Sequence, residues 1–284
     1  MKSAEDPVSR DAQEVLLRED RNGVTYLTLN RPERMNALSA ELQEKLEAQL
    51  WDADNDKSVH CVVLSGRGRC FSAGYDLQAA GGSASAGRAY RDRASLEDDV
   101  WYLEQQQQRR MAIWDMHKPV IAAVHGYCLA GGLDLALLCD IVVIAEDTVV
   151  GYPPVRAQGS PAAHMWTYLA GPQWAKRMLL TGDSITGTEA AAIGLAYKAV
   201  PADALDAEVR ALARKMAMID VELLAVNKRS VNLALELMGA RTMQRLSAEL
   251  DARGHQAPSF STFRNLAAKD GLKAALRWRD DRFE

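Results

Sequence analysis

The chain has 284 residues, a formal net charge of −4, 48% hydrophobic residues and 25% charged residues. That length fits one large domain, or one domain with an appendage, and buries enough apolar surface to fold without a disulfide or metal staple. The mild acidity gives no sign of a nucleic-acid partner, and no apolar run reaches the length of a membrane span.

Residues 1–21 are polar and acidic, unlike a signal or transit peptide, and read as a flexible leader. Residues 24–29 alternate as a strand does. Residues 40–51 place Leu42, Leu46 and Leu50 at four-residue steps, which predicts an amphipathic helix with Ser39 as N-cap. A buried strand over 59–65 ends in Gly66-Arg67-Gly68. The stretch 81–87 is rich in Gly, Ser and Ala and is expected to be a mobile loop placed to act as a lid. A long polar-faced helix over 95–116 stops at Lys118-Pro119, because a residue before proline avoids the helical region. Strands follow over 120–124 and 141–145, with an apolar, buried helix over 131–139 between them. Helices are expected over 173–180, 188–193, 203–219, 222–237, 243–251, 259–268 and 272–279. Strands alternating with helices, then a helical tail, indicate the α/β class.

Cys61, Cys70, Cys128 and Cys139 show no CxxC spacing and no histidine partner at metal-ligand distance. They read as buried, reduced thiols in a cytoplasmic protein. The arginines at 88, 91 and 93, and at 277, 279 and 282, are mixed with acids and read as solvated faces. No metal-ligand cluster or dinucleotide fingerprint is present, so no metal or redox cofactor is expected.

Two turns carry the functional signal. Phe71-Ser72-Ala73-Gly74-Tyr75-Asp76-Leu77 follows the strand over 59–65, and the segment from His125 to Asp134, with Gly131-Gly132, follows the strand over 120–124. Each puts small residues at a turn, where bare backbone N–H groups can reach a ligand oxygen. The second opens an apolar helix, whose dipole favours negative charge at that end. Meeting in space, the two would form a two-donor oxyanion hole.

These motifs resemble the crotonase (enoyl-CoA hydratase/isomerase) superfamily, through F-S-A-G-x-D-L and K-P-V-I-A-A-V-x-G-x-x-x-x-G-G-x-D-L-A. Asn30-Arg31-Pro32 with Asn36-Ala37-Leu38, Cys139-Asp140, and Leu179-Leu180-Thr181-Gly182-Asp183 agree with it, and the resemblance runs from residue 23 to the C-terminus. It implies a crotonase-like spiral of ββα units over 22–200, followed over 201–284 by a helical region that assembles a homotrimer or a dimer of trimers. It implies an acyl-CoA substrate, with coenzyme A as part of that substrate and no separate cofactor. The amides of Ala73 and Gly131 are the implied oxyanion donors, each worth roughly 3 kcal/mol of barrier. Arg34, Met35 and Ala37 are implied at the adenine end of CoA. Ala73, Tyr75, Asp76, Leu77, Gly131, Gly132 and Pro154 are implied along the path to the thioester.

The chain departs from the pattern where hydratases of the family carry two glutamates around one water. The first position is Asp134, one methylene shorter, and a displacement of about 1 Å can cost on the order of 100-fold. The second is Pro154, which has no proton to exchange. The segment from Gly159 to Trp166 is also rebuilt. Tyr152, His164, Asp147 and His125 are possible replacements, none singled out by the sequence; Cys128 lies in the second turn. Met165, Trp166 and Tyr168 line an acyl pocket or simply pack. Three readings follow: an enoyl-CoA hydratase; a one-carboxylate enzyme (isomerase, thioester or C–C hydrolase, or dehalogenase) using Asp134; and a non-catalytic acyl-CoA binder.

Overall fold

The computed structural model describes residues 14–77 and 95–283. The lid expected over 81–87 lies outside these residues, as do residues 1–13 of the expected leader. The rest of that leader is corrected. Strand β1 (Leu16–Arg21) pairs antiparallel with β2 (Val24–Leu29), in a register that places Arg21 opposite Val24. Between them Asn22 and Gly23 both have positive φ, 52° and 76°. That Asn-Gly pair is the two-residue hairpin signal, and its twist matches the flanking strands.

Helix α1 (Ala40–Asn55) starts at the expected cap, where the Leu42 amide donates to Ser39 Oγ at 3.3 Å. It runs four residues beyond the expected end because Ala53 extends the buried stripe. Strand β3 (Cys61–Gly66) follows. The expected helix over 95–116 is two pieces, α2 (Leu96–Arg110) and α3 (Ala112–Asp115), which meet at Met111. Next come β4 (Val120–Val124), β5 (Tyr127–Leu129), α4 (Gly131–Leu138), β6 (Ile141–Ala145) and β7 (Val149–Gly151). A 3-10 turn (Pro153–Arg156) leads to α5 (Trp166–Thr181), broken at Gly171 ahead of Pro172. Then follow β8 (Ser184–Thr186), α6 (Gly187–Ala192) and β9 (Lys198–Val200). The tail is α7 (Leu205–Met216), α8 (Val221–Leu237), α9 (Ala240–Gly254), α10 (Pro258–Asp270) and α11 (Leu272–Asp280).

Six strands form one sheet in the order β1-β2-β3-β4-β6-β9, parallel from β2 onward, and β5-β7-β8 form a second. The chain steps from one sheet to the other and into a helix, as in β4-β5-α4. Every residue of β4 is buried, and its alternation serves two layers. Val120, Ala122 and Val124 face the large core shared with α1, α3 and α4. Ile121 and Ala123 face a second layer with Leu205, Val209 and Ala213 of α7. The first helix of the expected 201–284 region therefore belongs to the core. Among the described residues, no helix is long and apolar enough to cross a membrane.

Asn36 locks the first functional turn in place. It is fully buried with φ 51°. Its Nδ2 donates to the carbonyls of Arg67 and Cys70 at 2.9 and 2.8 Å, and its Oδ1 accepts from the Arg31 amide at 2.9 Å. Its own carbonyl accepts from Ser72 Oγ at 2.8 Å. Asn36→Ala would remove the three side-chain hydrogen bonds, including the one to the buried Cys70 carbonyl, and would place alanine at positive φ. It is expected to cost about 3 kcal/mol in a denaturant melt, where an ordinary surface asparagine would cost a few tenths.

Candidate functional site

The two turns are stitched together by main-chain hydrogen bonds. Phe71 N–H donates to His125 O (2.8 Å), Ser72 N–H to Tyr127 O (3.1 Å) and Leu129 N–H to Ser72 O (3.0 Å). Two glycines permit the approach: a Cβ on Gly126 would overlap the Arg69 carbonyl, and one on Gly132 would come 2.6 Å from the Ser72 carbonyl. Gly132 thus serves the packing of α4 on the first turn. At Gly74 (φ +106°) a Cβ would lie 3.2 Å from the Gly131 nitrogen, so the two turns touch where the sequence expects them to.

One expected donor is corrected. The Ala73 amide already donates to the Met35 carbonyl at 3.0 Å and is not available to a ligand. The Gly74 carbonyl accepts from the Leu38 amide at 2.8 Å. Because a trans peptide points its C=O and N–H in opposite directions, the Tyr75 N–H of that same peptide points away from Leu38. It makes no hydrogen bond among the described residues. On the second turn the Ala130 carbonyl accepts from Leu133 and Asp134 inside α4, so the Gly131 N–H points out of the helix start. Ala130 itself sits at φ 50°, ψ −127°, a conformation costing of order 1–3 kcal/mol that sets the direction of the Gly131 amide. Among the described residues the free pair is therefore Tyr75 and Gly131.

Asp134, on the first turn of α4, is fully buried. Its Oδ2 accepts from the Tyr75 hydroxyl at 3.0 Å and from the Tyr152 hydroxyl at 3.4 Å. Its Oδ1 is buried and has no hydrogen-bond partner among the described residues. Burial pushes the carboxyl up to about 7; Arg110 and the Tyr75 hydrogen bond act in the other direction. The Tyr75 ring lies against Gly131, where a Cβ would come 2.5 Å from it. Tyr75, expected only along the CoA path, is thus a direct partner of the acid. Burial raises both phenols well above their ordinary range.

A second buried acid stands behind this pair. Asp251, on α9, accepts from the Ser160 amide at 2.9 Å, and the Ser160 carbonyl, also 3.4 Å from the Tyr152 hydroxyl, shares its single proton with Asp134 Oδ2. Burial pushes Asp251 up to about 6. His255 bridges from Asp251 (3.6 Å) to Asp99 on α2 (2.6 Å). Asp251 and Arg110 carry no local motif; their helices are brought to the site by tertiary packing.

The other expected residues fall as follows. Arg34 ends an exposed 3-10 turn (Pro32–Arg34), with Met35 and Ala37 just beyond it. Asp76 pairs with Arg31 at 2.8 Å, and Leu77 is exposed. Pro154 lies in its 3-10 turn, where its carbonyl accepts from Ala157, Gln158 and Gly159. Of the possible replacements for the second glutamate, Tyr152 is the one that reaches Asp134. His164 bonds Thr167 at 2.8 Å, His125 bonds the Gly68 carbonyl at 2.9 Å, and Asp147 is in an exposed turn. Met165 and Trp166 are buried in the core with Tyr168 packed against it. All four cysteines are free and buried. Arg279, expected on a solvated face, is instead buried and bonds Asp280 and Gln158, and the arginines at 88, 91 and 93 lie outside the described residues. Among the described residues, no cluster could hold a metal ion.

A sequence profile of the enoyl-CoA hydratase/isomerase family matches residues 19–262. The chain belongs to that family, the crotonases. It is 32% identical to 2,3-dehydroadipyl-CoA hydratase of Escherichia coli, over 92% of this chain and 95% of that protein. It is 30% identical to the mitochondrial enoyl-CoA hydratase of Pongo abelii, over 93% and 84%. The crystal structure of an enoyl-CoA hydratase from Mycobacterium smegmatis superposes with a TM-score of 0.87 at 35% identity, covering 95% of this chain and 94% of that one. An enoyl-CoA hydratase/isomerase from Xanthobacter autotrophicus gives the same score and identity, covering 95% and 99%. The fold is thus the crotonase fold expected from the motifs. This crotonase has the paired turns and an acid, Asp134, beside them.

Proposed function

We propose that this crotonase hydrates a 2-enoyl-CoA thioester, with Asp134 as its acid–base group. One observation carries the reading: Asp134 Oδ2 is held by the Tyr75 hydroxyl, with Tyr152 near, while the buried Oδ1 has no partner among the described residues. An acceptor buried without a partner is costly, and a substrate or water that bonds it recovers that cost. The thioester carbonyl accepts from the Tyr75 and Gly131 amides, which stabilise the enolate oxygen. Asp134 Oδ1 takes a proton from water as the water oxygen bonds C3 and the C2–C3 π electrons move onto the carbonyl oxygen. The enolate then collapses, and Asp134 returns the proton to C2. One carboxylate closes the cycle, and a group pushed to about 7 holds both protonation states near neutrality.

The exposed Arg34, with the half-buried Met35 and Ala37 following it, supports the adenine end of CoA at this edge. Helix α8 leaves Leu223, Val226, Val231 and Leu237 exposed, which supports assembly into a trimer or dimer of trimers. Pro154 favours a second reading, double-bond isomerisation, because moving one proton between carbons needs no activated water.

The test is a panel of 2-enoyl-CoA thioesters of increasing acyl size in heavy-oxygen water. Loss of the enoyl absorbance with label at C3 supports hydration. A shifted double bond without label supports isomerisation. Binding without turnover across the panel would leave a non-catalytic acyl-CoA binder.

A further inference from the structure

We propose that Arg110 sets the charge and the position of Asp134, acting through the ring of Tyr75. The inference rests on the reading of Asp134 as the acid–base group.

Arg110 closes α2 and is 4% exposed. Its guanidinium bonds neutral oxygens: Nε and Nη2 donate to Gln107 Oε1 at 3.4 and 3.1 Å, and Nη1 to Gln43 Oε1 at 3.4 Å. Among the described residues it forms no ion pair, whereas the adjacent Arg109 pairs with Glu44 at 2.9 Å. A buried cation without a contact carboxylate is costly. Its charge here acts at longer range. Arg110 Cζ lies 5.4 Å from the centroid of Tyr75, the ring whose hydroxyl donates to Asp134 Oδ2 at 3.0 Å. A cation on the face of a phenol draws electron density from it and makes its O–H the stronger donor. The bond to Asp134 tightens, the carboxylate form is favoured, and Oδ1 stays oriented toward the substrate.

The groups that bear on Asp134 come from every side: Tyr75 from the first turn, Cys128 from β5, Tyr152 after β7, Asp251 from α9 and Arg110 from α2. Arg110 is the permanent cation of that set. His255 stands behind Asp251 and is shared between Asp251 and Asp99. Arg110 pulls Tyr75, Asp134, Tyr152 and Asp251 alike toward their ionised forms. A mere staple between α2 and α1 would hold Gln43 and Gln107 and leave the titration of Asp134 unmoved.

The experiment is an infrared titration of the Asp134 carboxyl in the free protein, identified by subtraction of the Asp134→Asn spectrum. It compares wild type, Arg110→Met, Arg110→Lys, Tyr75→Phe and the Arg110→Met/Tyr75→Phe double variant. Arg110→Met is expected to move the midpoint up by about one pH unit, with the acid limb of kcat/KM following, and Arg110→Lys to keep most of the wild-type value. In the Tyr75→Phe background the same substitution should move it by less than half as much. An unchanged midpoint in folded Arg110→Met, or an equal shift with and without the Tyr75 hydroxyl, overturns the proposal. Should Arg110→Met not fold, Arg110→Gln retains a polar contact to Gln43 and Gln107 without the charge and carries the same expectation. The titration needs no substrate. A protein that turns over no enoyl-CoA therefore loses the hydration reading, while the Arg110 result stands or falls by itself.

Discussion

Asp134→Asn is expected to lower kcat on the preferred enoyl-CoA by on the order of 10³-fold, with little change in KM. Positioned acid–base groups contribute about 10²–10⁴, and an amide at this position can neither take the water proton nor return one to C2. The expected split between kcat and KM follows from geometry. The carbonyl donors at Tyr75 and Gly131 are backbone amides, which the substitution leaves in place. The pH profile gives a second check. Asp134 must start ionised to accept a proton from water, so wild-type kcat/KM should rise with pH through about 7, the value to which burial pushes this carboxyl. The residual activity of the asparagine variant should lack that limb. Full activity in Asp134→Asn would remove this residue from the mechanism.

The same substitution should stabilise the fold at alkaline pH. Asp134 ionises at about 7 in the folded protein, against an ordinary value of 3.8. With a folded pKa raised above the unfolded one, the native state binds the proton more tightly, and stability falls as pH rises between the two values. The span corresponds to at most about 4 kcal/mol, lost between about pH 4 and about pH 7. Asp251, pushed up to about 6, adds a smaller loss in the same direction over a narrower window. Asparagine carries no charge to bury. Denaturant melts should find Asp134→Asn about 2 kcal/mol more stable than wild type at about pH 8, part of the gain being lost to poorer bonds with Tyr75 and Tyr152. The advantage should vanish near pH 4, where both side chains are neutral. An asparagine variant less stable than wild type at about pH 8 would mean that Tyr75, Tyr152 and Arg110 fully compensate the buried carboxylate.

What the sequence made legible follows the strength of its local signals. Strands β2, β4 and β6 lie where their alternating or continuous apolar runs put them, and the Ser39 cap is where hydroxyl chemistry predicts it. Strands β5, β7, β8 and β9 have three residues each, too few for any period to register. Strand β1 gives no periodic signal because its outer half is charged and exposed, although Asn22-Gly23 is a hairpin signal. At the site, the motifs located both turns and Asp134. The motif points to residue 73 and not 75 because it shows which residues turn, while hydrogen-bond accounting shows which amide is already spent. Tyr152 was visible as a neighbour of the missing glutamate, but its reach to Asp134 depends on β7 pairing with β5. Arg110 and Asp251 sit on helices whose sequences read as ordinary amphipathic surfaces, and their packing against each other gives these two residues their meaning.

The seam of main-chain bonds between the two turns has a bearing on biogenesis. The amides of Tyr75 and Gly131 belong to distant stretches of polypeptide and come together only once β3 has paired with β4. Pairing of this kind is slow, because a long intervening loop must close before any contact rewards it. A nascent or partly refolded chain can therefore carry most of its helices and still be inert. Recovered turnover is a sharper gauge of native topology than helical circular dichroism, and during refolding it should trail the return of the ellipticity signal.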